Sequence, residues 1–287
     1  VVALTADLTG SLKMNDFAKN HPERFFQVGI AEANMMGMAA GMAIAGKIPF
    51  TGTFANFSSA RVFDQVRQSI AYSEKNVKIA ASHAGLTVGE DGATHQTLED
   101  IGMMKMLPGM VVINPCDYNQ TKQATLAAAS IGPAYLRLCR PTKPAFMTLV
   151  EKIVVGETIV LNEGNDVTLI ATGHLVWEAI QAAEILEAKG ISVEVINIHT
   201  IKPLDETAIL KSVRKTGCVV TAEEHNIMGG LGESVARVLS QYLPLPQEFV
   251  AVQDQFGQSG TPEKLMSQYG LDAAHIVLAA EKVISRK

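Results

Sequence analysis

The sequence predicts an α/β protein of two domains, each a mostly parallel sheet flanked by helices. Two observations predict this fold class. Short β-branched runs alternate with helical runs along the chain, which is the pattern of βαβ units. The chain has 287 residues, which is too long for one small core and fits two α/β domains of roughly 100–150 residues each.

The first half contains six runs that predict strands. In chain order they are Val1–Thr5, Phe25–Val28, Ile48–Thr51, Val77–Ser82, Val111–Ile113 and Ala134–Leu138. The run Met35–Ala45 has apolar and small residues all round, so we expect a buried helix there. A second helix is predicted over Ser58–Tyr72.

The regular pattern breaks at Arg140–Pro144 and again at the charged turn Leu161–Asp166. We therefore place a first domain at 1–145, a linker at 146–165 and a second domain at 166–287. The second domain repeats the alternation. Its predicted elements are the strand Val167–Ala171, the helix Val176–Gly190, the strand Ile191–Ile198, the helix Glu206–Thr216, the strand Cys218–Ala222, the helix Gly230–Tyr242 and the strand Glu248–Val252.

Composition excludes several classes of function. The net charge is −5 without a basic stripe, which argues against a nucleic-acid partner. No apolar run approaches the roughly 20 residues that cross a bilayer, so we expect no membrane role. Cys116, Cys139 and Cys218 are far apart and lack metal-ligand spacing, so we expect reduced thiols, no metal ligands on this chain and a cytoplasmic location.

Glu32 follows a predicted strand and opens a predicted helix, and ligands of open α/β sheets collect at the carboxyl ends of strands. An acid in the first turn of a helix also complements the helix dipole, so a purely structural role stays open. Phe54 and Phe57 stand three residues apart after another strand and can present a face to a flat ring, or they can belong to the core. Asp7 and Ser11 follow the first strand and can face a ligand or form an Asx turn and an N-cap.

A Gly-rich loop after the strand Val77–Ser82 carries Asp91 and His95, and His83 precedes it. Loops of this length and composition are more often functional than simple solvent turns. Arg140 ends a strand beside a proline break, where it can bind a phosphate or remain a surface arginine. The run Glu223–Gly230 carries His225 and a Gly-Gly-Leu-Gly turn that lacks the full dinucleotide spacing, so we interpret it as structural or interface-forming.

Five motifs, in this order, resemble the C-terminal half of transketolase across essentially the whole chain, and most closely its split two-chain form. They are Gly-Ile-Ala-Glu32, Thr-Gly-Thr-Phe54-Ala-Asn-Phe57, Ser-His83-Ala-Gly, Gly-Glu-Asp91-Gly-Ala-Thr-His95-Gln and Leu-Cys-Arg140. The resemblance implies a pyrimidine-binding domain, a transketolase C-terminal domain and a thiamine diphosphate-dependent enzyme of the pentose phosphate pathway. Such an enzyme transfers a two-carbon ketol unit from a ketose phosphate to an aldose phosphate.

The resemblance also assigns roles to the motif residues. Glu32 would bond the pyrimidine N1′ atom, with Phe57 stacked on that ring, Phe54 beside it and Asp7 near the cofactor. Asp91 and His95 would bind substrate hydroxyls, with His95 counted beside Glu32 as catalytic. Ser11, His83 and Arg140 would hold the sugar phosphate. One departure is Ala60, where many single-chain members have Tyr.

The diphosphate and Mg²⁺ motif of the family, Gly-Asp-Gly followed further on by Asn, is absent from this sequence. The resemblance therefore implies an N-terminal partner subunit that carries this site, in an expected α2β2 assembly. Two alternatives stay open. One is a carboligase like 1-deoxyxylulose-5-phosphate synthase, which shares the Lys202–Asp205 and Asn226–Gly230 patterns. The other is a non-catalytic assembly subunit that retains the fold.

Overall fold

The protein is described by a computed structural model over residues 1–142, 144–148 and 153–287. Lys143, in the predicted break, and 149–152, in the predicted linker, lie outside the described residues. The strands are β1 (Val2–Thr5), β2 (Phe25–Gln27), β3 (Pro49–Phe54), β4 (Lys78–Ser82), β5 (Val111–Ile113), β6 (Ala134–Arg137), β7 (Ile159–Asn162), β8 (Val167–Ala171), β9 (Val193–Asn197), β10 (Thr200–Lys202), β11 (Val219–Asn226) and β12 (Gln247–Val252).

The α-helical segments alternate with these strands. They are α1 (Asn15–Asn20), α2 (Glu32–Ile44), α3 (Ala55–Ser58), α4 (Phe63–Gln65), α5 (Asp100–Lys105), α6 (Tyr118–Ala128), α7 (Leu175–Glu187), α8 (Glu206–Thr216), α9 (Leu231–Tyr242), α10 (Pro262–Gln268) and α11 (Ala273–Ile284). Single 3₁₀ turns occupy Pro22–Arg24, Ala60–Val62 and Leu86–Val88, and a π-helical run occupies Val66–Tyr72. Within the described residues, no helix is long and apolar enough to cross a membrane.

The first sheet has the strand order β10-β5-β6-β4-β3-β1-β2, and its strands are parallel except for β10. β10 comes from the predicted second domain, but Thr200 and Lys202 pair antiparallel with β5. Only three residues long, β10 has too little sequence to show a strand pattern, so the sequence does not predict it. The edge of the first sheet is therefore supplied by the second half of the chain.

The second sheet has the order β12-β11-β8-β9-β7 and is parallel except for β7. The predicted fold class, two mostly parallel sheets flanked by helices, is confirmed. Within the predicted linker 146–165, Ile159–Asn162 forms β7 and pairs antiparallel with β9 at the edge of this sheet. Strand side chains alternate between two apolar clusters, as Leu169 and Ile170 of β8 do, so helices cover both faces.

Helix α2 buries one side only, which corrects the expectation of a helix buried all round. Met35, Met36, Ala39 and Ala40 pack into the core, as their spacing of three to four residues allows. The opposite side carries mainly small residues and is exposed in this chain, and its last residue, Ile44, is 72% accessible. An apolar sequence therefore covers a surface as well as a core.

The predicted helix Ser58–Tyr72 is broken after its start. Ser58 donates to the Phe54 carbonyl at 2.9 Å and Ser59 donates to the Ala55 carbonyl at 2.6 Å. Hydroxyls that bond back by one turn compete with backbone donors and bend helices. At Ser59 the backbone leaves helical geometry, with φ −116° and ψ −81°, before the chain resumes as short helical turns. This break sets the direction of the residues that follow.

A buried carboxylate joins the two domains. Glu224 lies near the carboxyl end of β11. It accepts the Thr87 backbone N–H at 2.7 Å and lies 3.1 Å from His174 Nε2. Arg137 of β6 donates to the Glu224 carbonyl at 2.9 Å and to the Asp100 carboxylate at 2.9 Å. All five side chains are buried. Buried charges are tolerated only when they are paired and hydrogen-bonded in this way, so the two domains fit in one arrangement.

The approach of Glu224 needs a glycine opposite it. Gly85 has φ +82°, and a Cβ there would lie 2.2 Å from the Glu224 carboxyl carbon. Any side chain at this position would meet both backbone strain and the buried carboxylate. Leu86 and Leu98 of the first domain also share the apolar cluster of the second domain. The interface is therefore sealed by both charge pairing and apolar contact.

Replacing Glu224 by Gln should change how stability depends on pH. Burial raises the pKa of Glu224 from 4.5 to about 7, against the opposing effect of the Arg137 charge. The folded state then holds a proton that the unfolded state has released, so this contribution to stability is full below the unfolded pKa and is lost as the pH rises to about 7. At ~1.4 kcal/mol per unit the rise is worth roughly 3 kcal/mol. As the pH rises from about 5 to about 8, the melting temperature of Glu224→Gln should increase relative to that of the wild type.

Thermal melts at several pH values check this prediction. Glu263→Gln is the matched control, since Glu263 is exposed and its replacement should leave the pH profile unchanged. A difference in melting temperature between Glu224→Gln and the wild type that stays constant with pH would contradict the assignment.

Candidate active site

Five predicted site residues lie at one edge of the first sheet. Glu32 follows β2, Asp7 follows β1, Phe54 ends β3, His83 follows β4 and Arg140 follows β6. Because those strands are parallel and neighbours in the order β6-β4-β3-β1-β2, their carboxyl ends form a single row. This edge is where ligands bind in open α/β sheets.

The backbone is strained at two of these positions. Asp7 has φ +59° and His83 has φ +56°, which is left-handed backbone that non-glycine residues seldom adopt. Gln27 at the end of β2 holds the first of these turns, since its side-chain oxygen accepts the N–H of Asp7 at 2.7 Å and of Gly29 at 3.2 Å. Such conformations persist where the surroundings enforce them, and they concentrate at functional sites.

Glu32 is the first residue of α2 and is only 5% exposed. Its position suits the helix dipole, as the structural interpretation proposes. Glu32 also has a side-chain partner, which a role at the helix dipole does not require: Arg61 Nη1 donates to Glu32 Oε1 at 3.0 Å. The guanidinium carbon of Arg61 also lies 4.0 Å from the centroid of the Phe57 ring. Arg61 thus connects the buried carboxylate to the aromatic residues.

The aromatic residues form a continuous cluster. Phe54 stacks on His83 with 4.2 Å between ring centroids and on Phe57 with 5.8 Å. His95 meets the Phe57 ring edge-on at 5.4 Å. Phe54 is buried, as a core residue would be, whereas Phe57 is half-buried. The structure therefore brings Phe54, Phe57, His83 and His95 together, and through Arg61 it adds Glu32.

The loop that carries Asp91 and His95 consists of successive turns. The N–H of His95 and the N–H of Gln96 both donate to the Gly92 carbonyl, at 3.0 Å and 3.1 Å. Gly92 has φ +75°, and a Cβ there would lie 2.5 Å from Ser259 Oγ of the second domain. The buried Gln96 donates to the Gln258 carbonyl at 3.0 Å. The second domain therefore holds this loop in place, while Asp91 stays exposed.

His83 is neutral at neutral pH. Burial, with the Arg140 charge as the second cause, lowers the pKa of His83 to about 4, while Asp91 acts in the opposite direction. Ser82 Oγ lies 2.9 Å from His83 Nδ1. Arg140 is bonded to the Val88 carbonyl and lies 3.6 Å from the Glu90 carboxylate. His83, Asp91 and Arg140 thus share one electrostatic environment.

Ser11 lies exposed in the turns after β1, where the N–H of Leu12 donates to the Leu8 carbonyl at 3.0 Å. It does not cap a helix, because α1 begins at Asn15 with Met14 as its N-cap. Lys13, two residues on, lines a cavity of about 350 Å³ together with Ser82 and Arg140. Within the described residues, no group of three or more His, Cys, Asp or Glu side chains is arranged to hold a metal ion.

Sequence reasoning missed Arg61 and Lys13. The predicted helix over Ser58–Tyr72 gives no reason to direct Arg61 back toward Glu32, since only the break at Ser59 does so. Lys13 has φ +57° in an irregular turn, which no periodicity marks. The signal that was available is the proximity of both cations to motif residues in the sequence.

The glycine turn after β11 is structural and lies in the interface, in agreement with its interpretation. Glu223 accepts the N–H groups of Leu231 and Gly232, both at 2.7 Å, and so closes the start of α9. His225 is buried and lies 3.4 Å from the N–H of Gly102 in the first domain. The N–H groups at the start of α9 that could bind a phosphate therefore already donate to Glu223.

Replacing Arg140 by Gln should raise the pKa of His83. The removed positive charge is the second cause of the lowered pKa, so the value should rise, but burial should keep it below the ordinary 6.5. Nuclear magnetic resonance titration of the imidazole measures this directly. Asp91→Asn is the matched variant of opposite sign, since it removes the charge that favours the protonated ring. A His83 pKa that falls or stays fixed in Arg140→Gln would refute the proposed coupling.

Comparison with known proteins agrees with this geometry. The family model described as transketolase, pyrimidine binding domain, matches residues 1–144, and the model of the transketolase C-terminal domain matches 156–276. A 6-deoxy-6-sulfo-D-fructose transketolase subunit from Clostridium sp. (strain MSTE9) is 45% identical over 100% of this chain and 89% of its own length. An apulose-4-phosphate transketolase subunit from Phocaeicola vulgatus is 37% identical over 100% of this chain and 92% of its own length.

A solved structure named a split gene transketolase, inactive beta4 tetramer, is 47% identical, with a TM-score of 0.93 over 99% of this chain and 92% of that chain. The predicted resemblance is confirmed: the chain belongs to the transketolase family and corresponds to its pyrimidine-binding and C-terminal domains, as found in split-gene subunits.

Proposed function

We propose that this chain is the C-terminal subunit of a two-chain, thiamine diphosphate-dependent transketolase. The reaction transfers a two-carbon ketol unit from a ketose phosphate to an aldose phosphate. The observation that carries the proposal is the row of side chains at the carboxyl edge of the first sheet. It runs from a buried carboxylate, through aromatic rings, to a cationic end beside Arg140.

The residues at the β2 end fit the aminopyrimidine of the cofactor. Glu32 offers a buried carboxyl to a ring nitrogen, and Phe57, beside it through Arg61, offers a flat face. Phe54 supports Phe57 from behind, and Asp7 stands on the neighbouring strand end. When bound, thiamine diphosphate supplies the nucleophilic carbon that takes up the ketol unit. Glu32 acts by holding a proton at the pyrimidine nitrogen.

Asp91 and His95 are assigned to the substrate hydroxyls. His95 packs against Phe57, and its Nδ1 lies 3.0 Å from Thr94 Oγ1, so Nε2 is the atom that would meet a hydroxyl. The Thr94 carbonyl in turn accepts Asn56 Nδ2 at 2.8 Å, which ties the loop to the Phe54–Phe57 turn. Ring and loop are therefore positioned together, which is what orientation of a sugar beside the cofactor requires.

Ser11, His83 and Arg140 are assigned to the anionic end of the substrate. His83 is neutral, so it can donate or accept a hydrogen bond there without adding charge. Arg140 supplies the positive charge and a planar set of donors that suits phosphate. The names of two relatives specify a sulfonated sugar and a 4-phosphate. These two names differ in the anionic group as well as in the sugar.

The exposed side of α2 supports an obligate partner. Ile44, at its end, and Tyr72, at the end of the helical run that packs beside α2, are 72% and 81% exposed, and Ile30 before α2 is 78% exposed. Large apolar side chains that stay exposed at both ends of one helix are available to pack against another chain. We assign this surface to an N-terminal subunit that carries the diphosphate and Mg²⁺ ligands, in an α2β2 complex with two-fold symmetry in the cytoplasm.

The patterns shared with 1-deoxyxylulose-5-phosphate synthase do not distinguish the two enzymes. Lys202 donates to the carbonyls of Lys105 and Leu107, and the Asn226 side chain accepts the Met228 N–H at 3.0 Å. Both contacts are structural and lie away from the aromatic cluster. The synthase and the non-catalytic subunit therefore remain as outcomes of the experiment.

Reconstitution tests the function. This chain, its N-terminal partner, thiamine diphosphate and Mg²⁺ should convert xylulose 5-phosphate plus ribose 5-phosphate to sedoheptulose 7-phosphate only when both chains are present. Parallel assays with 6-deoxy-6-sulfofructose and apulose 4-phosphate as donors determine the preferred oxyanion. Product from pyruvate plus glyceraldehyde 3-phosphate alone would favour the synthase, and an inactive complex with every donor would favour the assembly subunit.

Glu32→Gln should abolish turnover without preventing assembly. The amide keeps an oxygen for Arg61 but cannot exchange a proton with a ring nitrogen, so the turnover rate should fall at least about 100-fold. Glu74→Gln, at an exposed turn of the same domain, is the control and should retain activity. Size-exclusion chromatography with light scattering monitors the complex. Unchanged turnover in Glu32→Gln would refute the pyrimidine role of Glu32.

A further inference from the structure

The flat guanidinium group of Arg61 contacts two different residues, Glu32 and Phe57. Its Nη1 lies 3.0 Å from Glu32 Oε1, and the guanidinium carbon lies 4.0 Å from the Phe57 ring centroid. The Glu32 side chain is 6% exposed and that of Arg61 is 49% exposed. The cation therefore approaches from the solvent side and covers a carboxylate that is otherwise enclosed.

A guanidinium and an aminopyrimidine have much in common as partners. Each is planar, each presents N–H groups at its edge to a carboxylate, and each can lie on an aromatic face. According to the proposed function, on which this inference rests, the pyrimidine binds through the Glu32 carboxyl and the Phe57 face. Arg61 already makes both interactions. Two planar groups cannot share one face of a ring and the same carboxylate oxygen.

We propose that Arg61 is a placeholder that occupies the pyrimidine subsite until the cofactor enters. In the chain without cofactor it keeps the buried Glu32 charge paired, because an enclosed carboxylate without a cation is strongly unfavourable. It also covers the Phe57 ring, which is half-buried in this chain. When the pyrimidine binds, it takes over both contacts and Arg61 turns outward.

The local backbone suits such a movement. Arg61 lies in the single turn Ala60–Val62, directly after the break at Ser59 and before the helical segments that continue to Tyr72. Ala60 beside it is exposed, so a larger neighbour does not confine the side chain. The Arg61 side chain is 49% exposed, and a cation–π contact at an exposed site is modest. Arg61 can therefore turn toward solvent without unfolding its surroundings, once the pyrimidine has replaced it as the partner of Glu32.

The placeholder has a measurable consequence for cofactor affinity. A binding site that is open only part of the time binds its ligand more weakly in proportion to the open fraction. Removing Arg61 should therefore tighten thiamine diphosphate binding. This distinguishes a placeholder from a residue that positions Glu32 for the cofactor, since loss of the latter would weaken binding.

The test is calorimetric titration of thiamine diphosphate into the assembled complex at fixed Mg²⁺. Arg61→Ala should lower the Kd by about 3- to 10-fold relative to wild type. Arg61→Lys keeps the charge but not the planar group, so its Kd should lie between those of Arg61→Ala and wild type. Arg67→Ala, at an exposed arginine six residues further on, is the control and should match wild type. If Arg61→Ala does not assemble, the direction of the change in Arg61→Lys decides the question.

A Kd that rises or stays unchanged in Arg61→Ala overturns the placeholder. If the wild-type complex binds thiamine diphosphate but the Kd is not lowered in the Arg61 variants, the proposed function survives and this inference fails. If the wild-type complex binds no thiamine diphosphate, both proposals fall together. Near-ultraviolet circular dichroism of the bound pyrimidine provides a second readout, because a tightened site should reach its full signal at lower cofactor concentration.

Discussion

The buried Glu224 carboxylate is the constraint on which the arrangement of this chain depends. Placing a charge between two domains is unfavourable unless every lone pair finds a partner. The carboxylate faces Thr87 of the first domain and His174 of the second, and Arg137 of the first domain donates to the main-chain carbonyl of Glu224 and to Asp100. Because these groups come from separate parts of the sequence, the network can be satisfied in only one relative orientation of the two sheets. Removing one partner of such a buried network would leave a charged or polar group without compensation.

That orientation reaches the site through the loop after β4. Thr87, which Glu224 binds, precedes the turns that carry Asp91 and His95 by only a few residues. Gln96, on the far side of the same loop, is anchored to the Gln258 carbonyl, and Gly92 packs against Ser259. Both ends of the loop are therefore held by the second domain. Although this domain contributes none of the candidate side chains, it determines where the loop presents Asp91 and His95.

The sequence predicted the fold class and most strands because β-branched runs with helical runs between them are a local signal. The meeting of motif residues from separate strands follows from the topology, because neighbouring parallel strands bring their carboxyl ends to one edge. What it missed is non-local or irregular. β7 and β10 are short edge strands whose identity comes from pairing with β9 and β5. Arg61 reaches Glu32 only because Ser58 and Ser59 break the helix. The small residues on the exposed side of α2 are as compatible with close packing in a core as with a surface.

Charge is separated along the candidate site. At the β2 end a carboxylate is enclosed and paired with a cation from the solvent side, whereas at the β6 end Arg140 and Lys13 line a common cavity. The aromatic cluster lies between, and His83 within it is uncharged, since burial and Arg140 lower its pKa to about 4. A charged imidazole there would repel Arg140 and lose hydration against Phe54. A neutral ring lets the aromatic surface continue to the cationic end, so that a flat ring and a distant anion can be recognised at opposite ends of one edge.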